Sequence, residues 1–190
     1  MSKITFLLLL SFGIVTFCFS QEKFEKESRI KVEEVPEEAK DWLKDSFEKA
    51  KKIKWYLEYS QNGRSYEAKF NYLGNFHSVE FDSLGNVQDV EIEIEKNEIS
   101  PEVWSQIQSY FDSTYKEVKV EKIQRQFSGE ADDLEDLFDE NEKENITIKY
   151  EIVFEGKNEQ WELWEGLFDQ SGFFLSMLKI QIRLNDNLIF

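Results

Sequence analysis

The sequence predicts an α+β protein made of two successive units, each a helix followed by four antiparallel strands. Three observations carry this expectation. Two segments repeat apolar residues every three or four positions, as one face of a helix does. Each is followed by short alternating segments broken by turn residues, as strands of a meander are. Finally, the same landmarks return in the same order, which points to an internal duplication.

Before the first helix, Met1–Ser20 reads as a secretory signal: Lys3, an apolar run Ile4–Phe17, and a small-x-small site at Cys18-Phe19-Ser20. The run is too short and too poorly flanked to span a membrane, and Phe17 is too bulky for a lipoprotein cleavage site. Cleavage near Ser20 makes the protein periplasmic or secreted. It leaves 22 basic against 39 acidic side chains, a net charge of −17, and no cysteine. Residues 21–34 form a charged lead.

Pro36–Lys52 has a helical pattern, with Val35, Ala39, Trp42, Leu43, Phe47 and Ala50 on one face. Pro36 suits the first helical turn, where an N–H is dispensable. Ile53–Tyr59 alternates with period two and leads to a turn at Gln61-Asn62-Gly63. Arg64–Tyr72, Phe76–Phe81 and Val87–Ile94 follow, separated by Leu73-Gly74-Asn75 and Asp82-Ser83-Leu84-Gly85. The first unit spans residues 35–96.

The second unit, 97–190, opens with Ser100 as N-cap and the stripe Ile99, Val103, Ile107, Tyr110, Phe111. Lys52-Ile53-Lys54-Trp55 parallels Glu117-Val118-Lys119-Val120, placing Val120 where Trp55 stood. Tyr66–Phe70 returns as Tyr150–Phe154, and Phe81–Gly85 as Phe168–Gly172. The later strands of this unit are expected at Ile146–Phe154, Glu159–Phe168 and Phe173–Arg183.

Between its first two strands lies an insertion, Ser128–Asn145, with nine acidic residues and one basic, Lys143. Repulsion at that density predicts an exposed, mobile loop, although Leu134, Leu137 and Phe138 could close a helical turn against the body or a partner. Asp132, Asp133, Asp136, Asp139 and Glu140 are weak metal candidates. They lack the glycine and ligand spacing of an EF-hand, so loose calcium association is the most they imply.

Val35-Pro36-Glu37-Glu38-Ala39, Lys52–Trp55, Tyr66-Glu67-x-x-Phe70 and Phe81-Asp82-x-x-Gly85, with their second copies, resemble the PepSY-like, β-lactamase-inhibitor-like family of exported bacterial proteins. The resemblance covers roughly residues 30–183. It implies that both units join in one curved eight-stranded antiparallel sheet with both helices on one face. It also implies a protein partner on the opposite, concave face.

Composition excludes much else. Without Cys there is no disulfide framework or thiol nucleophile, and one His (His77) cannot build a multi-histidine metal centre. His77 has no nucleophile motif around it and reads as structural. So acidic a surface disfavours nucleic acid. We expect no enzyme and no cofactor, but a binding protein for a protein or peptide in the envelope or outside the cell. A small-ligand or cation-binding module is the alternative. In the second unit, large apolar residues occupy both phases of the last two strands. Either a further layer covers them (the tail 184–190, the insertion or another copy) or they form a binding patch. Tyr56, Phe76, Trp161 and Leu163 are the expected partner-binding residues.

Overall fold

The computed structural model describes residues 21–23, 25–60 and 63–180. The signal reading, the Gln61–Asn62 turn and the tail lie outside these residues. In order the chain forms β1 (Gln21–Lys23), β2 (Glu25–Ile30), α1 (Glu37–Ser46), β3 (Lys51–Ser60), β4 (Gly63–Tyr72), β5 (Asn75–Phe81), β6 (Val87–Glu93), α2 (Pro101–Thr114), β7 (Glu117–Ser128), α3 (Ala131–Asp139), β8 (Thr147–Lys157), β9 (Trp161–Asp169) and β10 (Phe174–Ile180). The fold is α+β with one sheet.

The strand order is β1-β10-β9-β8-β7-β6-β5-β4-β3-β2. Nine strands are antiparallel to their neighbours, and β1 joins the β10 edge in parallel. The expected count of eight therefore falls short by two, both from the charged lead. Although β2 is rich in charge, it pairs with β3 from Glu25↔Ser60 to Ile30↔Trp55. One residue separates β1 from β2, yet they lie at opposite ends of the strand order. Two residues of chain span at most about 7 Å, so the sheet rolls until its edges approach.

Both helices pack on one face. The α1 side chains Ala39, Trp42 and Leu43 meet Trp55, Tyr66, Ala68, Phe70, Val79, Phe81 and Val90. Ile107 and Phe111 of α2 meet Ile123, Tyr150, Ile152, Phe154, Trp164 and Phe168. The pairs Val90↔Phe127 and Ile92↔Arg125 carry that face across the β6–β7 junction. Ser100 caps α2 by accepting from Val103 N–H, and a 3-10 turn precedes each of α1 and α2. In these turns Glu34 and Glu98 reach back to the N–H of Lys31 (2.9 Å) and Glu95 (2.8 Å). Asp82 and Asp169 close the two β-turns, each carboxylate accepting two backbone N–H groups. That accounts for both Asp-x-x-Gly motifs as turn chemistry.

Two further expectations are corrected. The insertion is not a mobile loop: α3 buries Leu134 and Leu137 against the α1 core, with Phe138 4.9 Å from Phe47 and 5.6 Å from Phe127. Its acids face outward, so three apolar residues one turn apart outweigh their repulsion. Val120 does not stand where Trp55 stands. Trp55 pairs with Ala68, and the ladder position matching it is Ile123, opposite Ile152. An extra residue at Glu121 bulges β7, and Val120 is 38% exposed.

Candidate functional site

Side chains alternate across a strand, so the phase opposite the helices forms a second surface. Its residues are polar over much of the sheet: Glu58 on β3, Glu67 and Lys69 on β4, Ser78 and Glu80 on β5, Asp89 and Glu91 on β6. Lys122, Gln124 and Gln126 continue it on β7, Glu151 on β8 and Glu165 on β9. Because the sheet is rolled, they converge with Glu27 of β2 and Leu178 of β10 around a cavity of about 540 Å³. Eight carboxylates line it against two lysines.

Within the wall, Lys69 lies 2.8 Å from both Glu27 and Glu67, with its ammonium 5.0 Å from the centre of the Tyr56 ring. Burial works against its charge, but the two carboxylates outweigh it and raise the Lys69 pKa. Ser78 donates its hydroxyl to Glu67. Asp89 is pushed up to about 8, first by burial and then by Glu80 and Glu151, with Lys149 opposing. Gln126 Nε2 donates to Asp89 (3.4 Å) and Glu91 (3.3 Å). Gln124 Nε2 donates to Glu91 at 2.7 Å, while its Oε1 is buried without a donor. The arrangement can take up hydrogen-bond donors and positive charge.

All four expected binding residues lie on this face. Phe76, 37% exposed, lines the cavity. Tyr56 lies opposite Glu67 beneath Lys69. Trp161 and Leu163 lie beyond the cavity, opposite Lys157 and Glu155. The ammonium groups of Lys119 and Lys157 stand 4.1 and 5.3 Å from the Trp161 ring centre. No described element covers this side of β9, and α3 packs on the helix face, so the insertion is not its cover.

Asp132, Asp133, Asp136, Asp139 and Glu140 are on or beside α3, away from the cavity. Among the described residues no group of three or more His, Cys, Asp or Glu is arranged to hold a metal. His77 is buried between Phe47, Phe70 and Tyr72, its Nδ1 3.1 Å from the Asn75 carbonyl. Burial lowers its pKa, with the Asn75 contact opposing. The site residues that the sequence did not point to include Glu27, Ser78, Glu80, Asp89, Lys122, Gln124, Gln126, Glu151 and Glu165. Their signal was the polar phase of alternating strands, but which residues meet depends on register.

No protein-family model and no curated protein matches the chain. Solved structures resemble its fold. A DUF2874 family protein from Bacteroides uniformis superposes with a TM-score of 0.53 at 15% identity, covering 76% of this chain and 89% of that one. A protein from Bacteroides eggerthii, provisionally named periplasmic, gives 0.53 at 18% identity over 80% and 93% of the two chains. A BLIP-like protein from Bacteroides fragilis gives 0.48 at 20% identity over 76% and 86%. Among the described residues no helix is long and apolar enough to cross a membrane.

Proposed function

We propose that this chain is an exported, non-enzymatic binding protein whose concave sheet face receives a basic segment of a protein or peptide in the cell envelope or outside the cell. One observation carries the reading: strands from β2 to β10 line a cavity with seven glutamates, two lysines and Asp89, which burial keeps protonated up to about pH 8. Charge complementarity of this kind steers encounter and rejects acidic partners. The aromatic and apolar residues beside it (Phe76, Trp161, Leu163) offer contact area at low entropic cost. The family resemblance read from the sequence motifs implies a protein partner on the same face, which agrees with this reading. We also propose that the two helix–meander halves descend from one duplicated block, supported by their matched 3-10 turns and Asp-closed β-turns.

Affinity capture from native envelope extract tests the reading, with the wild-type protein beside a Trp161→Ala/Leu163→Ala variant. The wild type is expected to retain a basic protein that salt elutes, and the variant to retain much less. Equal retention by both would overturn it.

A further inference from the structure

We propose that the cavity seats the guanidinium of an arginine side chain supplied by the partner, with Gln124 Oε1 as its innermost acceptor. This rests on the concave face being the binding surface. Gln124 is 4% exposed on the central strand β7 and lines the cavity. Its amide orientation follows from chemistry: Nε2 lies 2.7 Å from a Glu91 oxygen, and reversing the amide would set two acceptors against each other. Oε1 is thus a buried acceptor with no donor, where buried polar groups normally have one, and a small turn of the Gln124 side chain would bring it to a donor entering the cavity that this residue lines. Glu151 stands directly opposite Gln124 in the ladder. A group entering here must donate, and it gains most if it is cationic.

Two features select guanidinium over ammonium. A planar fork with five N–H donors can reach Gln124 and flanking carboxylates together, whereas an ammonium is a compact point charge. Guanidinium is also more weakly hydrated, so its burial costs less. Lys69 shows how this wall holds an ammonium, between two carboxylates and over an aromatic ring, whereas Gln124 Oε1 is a neutral acceptor that pairs best with one arm of a fork whose other arm meets a carboxylate.

The test uses capped Gly-Gly-Arg-Gly-Gly and its citrulline and lysine counterparts, titrated into the isotope-labelled protein and followed by NMR. The arginine peptide is expected to shift the Gln124 side-chain amide saturably, with the uncharged citrulline peptide at least tenfold weaker and the lysine peptide weaker than arginine. Gln124→Met, which keeps the volume but removes the acceptor together with the donor to Glu91, is expected to weaken the arginine peptide at least tenfold, with a lower melting temperature from the lost hydrogen bond but a folded protein by NMR. Unchanged binding by the Met variant, or equal lysine and arginine affinities, would overturn the assignment. Should the variant fail to fold, the wild-type shifts decide: perturbation confined to Trp161 and Leu163 overturns the cavity while leaving the binding face intact. Arginine binding at Gln124 in a protein whose capture ignores Trp161 and Leu163 would sink the functional reading and keep the site.

Discussion

Trp42 of α1 donates its indole N–H to the carbonyl of Ala131 in α3, at 3.0 Å and across 89 positions of sequence. This bond, with Leu134 buried beneath it, anchors an acidic helix to the first half of the sheet. Leu134→Ala should cost about 2–5 kcal/mol of stability through the cavity it leaves. Trp42→Phe should cost at least the roughly 0.5–1.5 kcal/mol of one hydrogen bond. Urea unfolding measures both. Near-neutral values for both would mean that α3 does not stay docked in solution.

Gly74 and Gly172 both have positive φ, +97° and +85°, yet they should respond differently to a methyl group. A Cβ at Gly74 meets nothing within 4 Å, so Gly74→Ala should cost only the backbone strain, about 1 kcal/mol. A Cβ at Gly172 would lie 2.4 Å from the Val103 carbonyl oxygen in the first turn of α2. Backbone cannot yield as a flexible side chain does. Gly172→Ala should therefore cost at least about 1 kcal/mol more, seen as a clearly larger drop in melting temperature. Equal drops would place the Asp169 turn away from α2.

Asp89 and His77 give the fold opposing pH dependences. The native Asp89 carboxyl keeps its proton up to about pH 8, whereas an unfolded chain releases it near pH ~4. The native state binds more protons over that window, so this group lowers stability as pH rises. His77 is shifted the other way: below about pH 6.5 the unfolded chain takes up a proton that the native ring resists, so its contribution is lost as pH falls. Asp89→Asn removes only the first effect. Its stability advantage over wild type should be larger at pH 8 than at pH 5, read from urea midpoints. A gap that does not change with pH would show Asp89 ionised in the native protein.

Periodicity made the helices and most of the sheet legible, because packing and pattern agree there: Ala39, Trp42 and Leu43 fall on the buried stripe, and Tyr150, Ile152 and Phe154 on the buried phase. It failed where a tertiary partner decides. Glu25–Ile30 has no apolar alternation and becomes a strand only because β3 offers an open edge. Leu134, Leu137 and Phe138 stand out in the insertion as one helical turn able to meet the body, but among nine acids their spacing does not tell that the turn docks, because its partners lie in another part of the chain. The bulge at Glu121 shifts β7 so that Ile123, not Val120, meets the core. Glu67, Lys69 and Glu91 alternate with apolar residues along their strands, but their convergence with Gln124 needs the roll of the sheet, which no local pattern encodes.

Trp161 and Trp164 put that face assignment to the sharpest test. They lie three positions apart on β9, hence on opposite faces. Trp164 is buried in the α2 core, while Trp161 is half-buried on the uncovered side under Lys119 and Lys157. Trp164→Ala should cost about 3–5 kcal/mol. Trp161→Ala should lose chiefly its cation–π contacts and some partial burial, about 1 kcal/mol. Because strand side chains alternate strictly, a one-residue slip of β9 against β8 would exchange the two outcomes. Denaturant unfolding of both single variants therefore reports which tryptophan faces the helices and which is available to a partner.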